Sequence, residues 1–134
     1  MTKDANPARI GSRIKLRRAC EPPRPDDGRR FLVDRIWPRG VTKAELRLDG
    51  WRRDLAPNDD VRRWFGHDPA RWDEFAARYR QELAAHPDAL APLLDAARNG
   101  PITLVYGARD ERHNQAVVLK AVLDAALAAP HDAT

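Results

Sequence analysis

The stretch Phe31-Leu32-Val33-Asp34-Arg35-Ile36-Trp37-Pro38-Arg39-Gly40 runs an apolar triplet into an acid, two arginines, a tryptophan and a Pro/Gly stop. A short continuous apolar run bounded by turn formers reads as a strand covered on both faces, here Arg30 to Asp34. The charge that follows then stands at the carboxyl end of that strand, where open α/β sheets bind their ligands. A second unit of this kind lies downstream. Pro101-Ile102-Thr103-Leu104-Val105-Tyr106 is apolar and opens into the polar loop Gly107 to Arg112. Upstream, Arg13-Ile14-Lys15-Leu16-Arg17 alternates charged and apolar residues, the period of a half-buried strand, and its charged face suits a sheet edge.

Helical signals fill the space between these strands. Asn58 or Asp59 can cap a short helix that places Val61, Trp64 and Phe65 on one face. Asp68-Pro69 starts the next, with Trp72, Phe75, Ala76, Tyr79 and Leu83 on one stripe. That aromatic stripe reads as core. His86-Pro87 starts a third, with Leu90, Leu93, Leu94 and Ala97 inward and Gly100 as its stop. His113 or Asn114 opens a final helix to about Ala128, apolar nearly all round and so either deeply buried or shared with a second copy. The predicted fold is α/β: a small, mostly parallel three-stranded sheet with helices packed on its faces. One domain is expected over residues 9–129, with frayed ends at 1–8 and 130–134.

With 134 residues, 43% hydrophobic and 33% charged, the chain fits a single globular domain with a real core. No apolar run approaches the roughly 20 residues that span a bilayer. The N-terminus lacks a signal-like apolar centre, and the lone Cys20 can form no internal disulfide, so a cytoplasmic protein with no membrane partner is expected. The net charge of +4 is unevenly distributed: residues 1–53 carry 15 basic and 7 acidic side chains, and the remainder is acidic on balance. An anionic partner is therefore expected, either a small phosphate-bearing or nucleotide-like molecule or, as the alternative, a nucleic acid on the basic N-terminal face. An arginine-rich surface with no partner is the plain reading of the same numbers.

Candidate chemistry follows from the two strand-end loops. If their strands are parallel and adjacent, Asp34, Arg35, Arg39, Arg109, His113 and Asn114 converge on one sheet edge, beside the N-terminus of the last helix. Asp34 and His113 are the candidate catalytic pair, as general base or nucleophile and as acid or base near neutral pH. Arg35, Arg39 and Arg109 are candidate anion clamps, because guanidinium groups bind phosphate bidentately. Trp37 could stack on a base or plug the core beneath its loop, and Asn114 could contact a ligand or simply cap the helix. Arg52 and Arg53 could line the pocket from above or sit solvated, and His67 stands at a helix junction. The four histidines have no metal-ligand spacing, and no nucleotide-loop glycine motif or nucleophile elbow occurs, so no cofactor is expected. Whether the pocket would turn a ligand over, by hydrolysis or group transfer, is left open by these residues.

The same residues carry a resemblance. The Phe31 to Gly40 run, with Trp51, Leu55-Ala56-Pro57, Arg63-Trp64-Phe65-Gly66-His67-Asp68, Phe75, Tyr79, Glu82-Leu83, Thr103-Leu104-Val105-Tyr106 and His113-Asn114, resembles the YeaO-like proteins. These are a branch of the domain of unknown function family 488, and the likeness covers about Arg13 to Leu127. Longer members resemble the chain in the Asp-Arg after the second strand. At the last helix start they carry a Cys-His-Arg type motif where this chain has Arg112-His113-Asn114. The resemblance therefore does not imply a thiol mechanism here. Nor does the chain show the winged helix-turn-helix that a transcription-regulator reading would require.

Overall fold

The structure, a computed structural model, describes residues 13–129. The expected frayed ends lie outside those residues. Four parallel strands form one sheet: β1 (Ile14–Arg18), β2 (Arg29–Leu32), β3 (Gly50–Trp51) and β4 (Ile102–Tyr106), in the order β1-β4-β2-β3. The expected three strands are all present, and the count is corrected to four. β3 is two residues long, pairing Phe31 with Gly50 and Leu32 with Trp51. A dipeptide has no period to detect. It becomes a strand because Asp49 N donates to Arg30 O at 2.7 Å and Arg52 N to Leu32 O at 2.8 Å.

β4 occupies an interior position, and all five of its residues are buried, including Thr103, whose hydroxyl is satisfied by Asp27 O. β1 is an edge strand, as its alternation suggests. Its charged face is not simply solvated, because Lys15 pairs with Asp26 at 2.7 Å and Arg17 with Asp27 at 2.8 Å.

The helices are α1 (Lys43–Leu46), α2 (Asp59–Phe65), α3 (Trp72–Ala84), α4 (Pro87–Asn99) and α5 (Gln115–Ala128). The caps before α2 and α5 are where they are expected, whereas Asp68 caps a short 3-10 turn, Pro69–Arg71, that leads into α3. Asn58 accepts from Val61 N, Asp68 from Ala70 N, and Asn114 from Val117 N. The coverage of the two sheet faces is unequal. α2 to α5 share one core with Ile14, Phe31, Val33, Ile102, Leu104 and Tyr106. The aromatic stripe of α3 lies in that core, where Tyr79 is 0% exposed and its hydroxyl donates to Leu55 O. The opposite face carries a smaller cluster of Ala19, Leu32, Leu46 and Val105, flanked by Trp37, Val41, Leu48 and Trp51. No helix among the described residues is long and apolar enough to cross a membrane.

Beside the smaller cluster sits a buried ionic knot. Asp27 is 1% exposed and Arg30 3%. The Asp27 carboxylate accepts from Arg30 Nη1 at 2.6 Å, Arg17 Nη2 at 2.8 Å and Arg24 N at 3.1 Å. Arg30 Nε donates to Leu46 O, and Thr103 Oγ1 donates to Asp27 O, both at 2.8 Å. Gly28 closes this turn at φ +66°, and a Cβ there would stand 2.0 Å from the Pro101 carbonyl oxygen. Gly28→Ala should therefore cost about 2 kcal/mol, combining a disfavoured backbone with a steric overlap. Urea denaturation would measure the loss, and an unchanged midpoint would show that the turn relaxes freely.

Candidate functional site

β2 and β4 are paired and parallel, so the loops that follow them leave the sheet on the same edge. The end of β1 reaches that edge too. Between them lies a cavity of about 670 Å³, within the size range of small-molecule sites. The strand ends supply Arg18, Asp34 and Gly107, and the loop after β2 supplies Arg35 to Arg39. α2 and the residues after it cover the top with Arg62, Arg63 and His67. Six arginines line this space (18, 35, 39, 62, 63 and 109), against one carboxylate, Asp34.

The arginines differ in how they are held. Asp59, at the start of α2, accepts from Arg35 Nε at 3.0 Å and Arg62 Nη2 at 3.2 Å. Those hydrogen bonds, with Arg62 contributing most, hold the Asp59 carboxyl below its usual range despite some desolvation. Arg39, Arg63 and Arg109 are exposed and have no ion pair or side-chain hydrogen bond among the described residues. The Nε atoms of Arg18 and Arg62 are buried with no acceptor. An N–H withdrawn from water without an acceptor is costly, and an anion in the cavity is one group that could satisfy it.

Asp34 is half-buried at the end of β2. Its Oδ2 accepts from Gly107 N at 2.9 Å and its Oδ1 from Gln115 Nε2. Its backbone oxygen accepts from Trp51 Nε1 at 2.7 Å. Desolvation dominates the carboxyl and pushes its pKa up to about 6, with the Gly107 and Gln115 bonds pulling partly back. Gly107 can approach because it lacks a side chain: a Cβ there would stand 2.8 Å from Asp34 Oδ2.

Of the residues expected at this edge, Asp34, Arg35, Trp37, Arg39 and Arg109 line the cavity, whereas His113 and Asn114 do not. His113 is half-buried, its Nδ1 2.8 Å from Asp110 Oδ2 and its ring 5.1 Å from that of Trp72. Asn114 is buried as the cap of α5, with Nδ2 donating to Asp110 O at 2.8 Å. Trp37 both lines the cavity and packs into the smaller core, its Nε1 donating to Val41 O at 2.8 Å. Arg52 turns away to Asp54 and Ala89 O, and Arg53 stacks over Trp51 at 4.0 Å.

Gln115, Arg18, Arg62 and Arg63 also line the cavity and are not among the residues singled out from the sequence as site candidates. Gln115 follows a natural cap at the sheet edge, and that position was the available signal. Arg18 ends β1 as Asp34 follows the end of β2, and in sequence it is one more charge of an edge strand. His67 also lines the cavity, at φ 58° directly after Gly66 at φ 51°. A non-glycine residue in this left-handed region costs of order 1 kcal/mol.

Comparison with known proteins places this geometry in a family. Residues 13–134 match the family described as "Inactive DUF488-N3 subclade". The chain belongs to this family. Relatives of this DUF488 chain include an uncharacterized protein of Mycobacterium tuberculosis strain H37Rv, 41% identical over 114 residues, covering 84% of this chain and 95% of the relative. The uncharacterized protein YeaO of Escherichia coli K12 is 38% identical over 106 residues, covering 79% and 92%. The YeaO-like branch of DUF488 expected from the Phe31 to Gly40 run and its companion motifs is thereby shown. No solved structure gives a significant match to the chain.

Proposed function

We propose that the protein binds a small phosphate-bearing, nucleotide-like ligand in the cavity at the strand ends. The observation that carries this reading is the charge of the lining: six arginines against one carboxylate, with Arg39, Arg63 and Arg109 unpaired among the described residues. Unpaired guanidinium groups around a concave, partly apolar space suit phosphate recognition. Binding is favoured over turnover for two reasons. His113, the expected partner of Asp34, is engaged by Asp110 and lies outside the cavity lining, and His67, the histidine that does line it among the described residues, makes no hydrogen bond to Asp34. The word "inactive" in the family's description agrees with such a role.

The alternative, a nucleic-acid module on the basic N-terminal face, is weakened by internal pairing. Lys15, Arg17, Arg30 and Arg52 all have acidic partners, and Arg53 is stacked on Trp51. A thermal-shift screen against pyrophosphate, nucleotides, sugar phosphates, short DNA and short RNA at low and high salt separates the two readings. Small phosphates should stabilise the wild type. Arg39→Ala combined with Arg63→Ala should weaken pyrophosphate about tenfold or more, since hydrogen bonds to charged groups contribute about 1.5–3 kcal/mol. Stabilisation by polynucleotide alone, erased by salt, would reject the pocket in favour of a surface binder.

A further inference from the structure

We propose that the cavity selects a phosphate ester of a polyol, the chemical class of sugar phosphates and nucleotides, and that Asp34 is the residue that reads its hydroxyl groups. This rests on the anion-binding reading above and adds what the rest of the ligand must be. Asp34 is the one carboxylate in a lining of six arginines, yet no cation pairs with it among the described residues. A carboxylate offers about four acceptor positions. Gly107 N–H takes one on Oδ2 and Gln115 Nε2 one on Oδ1. About two acceptor positions therefore remain on a group that lines the cavity.

A bare phosphate entering this space is attracted by the arginines and repelled by Asp34. A phosphate carrying a hydroxylated group gains from both, because its O–H donates to the carboxylate while its phosphoryl oxygens meet the guanidinium groups. The carboxylate is held for such a task. The side chain is fixed by Gly107 and Gln115, and the backbone carbonyl by Trp51 Nε1. A preset acceptor loses little freedom when a ligand arrives. The walls also suit a sugar or base, with Trp37, Phe65 and Phe75 in the lining and Ile36, 62% exposed, beside Arg35. Ile36 is the one large hydrophobic side chain that is exposed among the described residues.

Calorimetric titration of the full chain at pH 7.5 tests this with four probes: inorganic phosphate, ribose 5-phosphate, AMP and 2′,3′-dideoxy-AMP. The wild type should bind ribose 5-phosphate more tightly than phosphate, and AMP about tenfold more tightly than its dideoxy analogue. In Asp34→Asn, AMP and dideoxy-AMP should fall within about twofold of each other, while inorganic phosphate binds as well as before or better. Equal wild-type affinities within either pair would overturn the role of Asp34, as would an Asp34→Asn variant that keeps the AMP preference. If the wild type binds none of the four, nor pyrophosphate, the anion-binding reading itself fails, and the two failures are thus told apart.

Discussion

Asp27→Ala should destabilise the protein by about 3–5 kcal/mol, the usual cost of removing one member of a buried ion pair. The loss is large because of what remains. Arg30 is 3% exposed, its Nη2 already lacks an acceptor, and its Nη1 would lose the carboxylate 2.6 Å away. Arg17 would lose its partner as well, and β1 would keep only the Lys15–Asp26 pair as its side-chain tie to the turn before β2 among the described residues. Burial by itself would raise the Asp27 carboxyl. The hydrogen bonds from Arg24 N–H, Arg17 and Arg30 outweigh it and hold the group below its ordinary 3.8. A native carboxyl more acidic than the unfolded one stabilises the fold above pH 3.8, and that contribution drains away as pH falls through the lower native value. Urea unfolding at pH 7 and near pH 3 checks both points. The gap between wild type and Asp27→Ala should be wide at pH 7 and narrow in acid. A joint Asp27→Leu and Arg30→Met replacement should recover much of the loss, because a well-packed apolar pair escapes the desolvation cost. A double variant as weak as the single one would mean that the neighbouring backbone groups, Leu46 O among them, depend on Arg30 itself.

Asp34→Asn should act in the opposite direction and stabilise the protein at neutral pH. The native carboxyl sits at about 6 and the unfolded one near 3.8, so the folded state holds the proton more tightly. Stability must then fall as pH rises from about 4 to about 6 and stay low above that, by up to about 3 kcal/mol. Asparagine removes the buried charge but keeps only one acceptor for Gly107 N–H and Gln115. The net gain at pH 8 should be about 1–2 kcal/mol, shrinking or reversing near pH 4.5. Denaturation midpoints at the two pH values provide the measurement. A gain independent of pH would show that charge burial is not what strains this position. The carboxyl that weakens the fold in this way is held by two hydrogen bonds and the backbone carbonyl of the same residue by a third, a trade of stability for a fixed acceptor that the proposed binding role would explain.

Much of this could be read without coordinates. The largely apolar runs at Phe31–Val33 and Ile102–Tyr106 point to interior strands buried on both faces, the pattern of a parallel sheet. The Asn58 and Asn114 caps mark helix starts through local hydrogen bonds, and Asp68 caps the 3-10 turn before α3, so position along the chain is enough to find them. The placement of Asp34, Arg35 and Arg39 at the cavity edge follows once the two apolar strands are taken as parallel neighbours, which the structure shows them to be. The tertiary structure decided what depends on contacts between distant residues. Gly50–Trp51 is a strand only because β2 lies beside it. Asp27, Arg17 and Arg30 look like surface charges in sequence, but the smaller sheet face buries them together. His113 carries the right chemistry at the right edge, yet Asp110 and Trp72 hold it outside the cavity, while Gln115, two residues on, reaches Asp34. Side-chain chemistry is written residue by residue. Which side chains share one cavity is set by the directions in which several chain segments meet, and no local pattern carries that information.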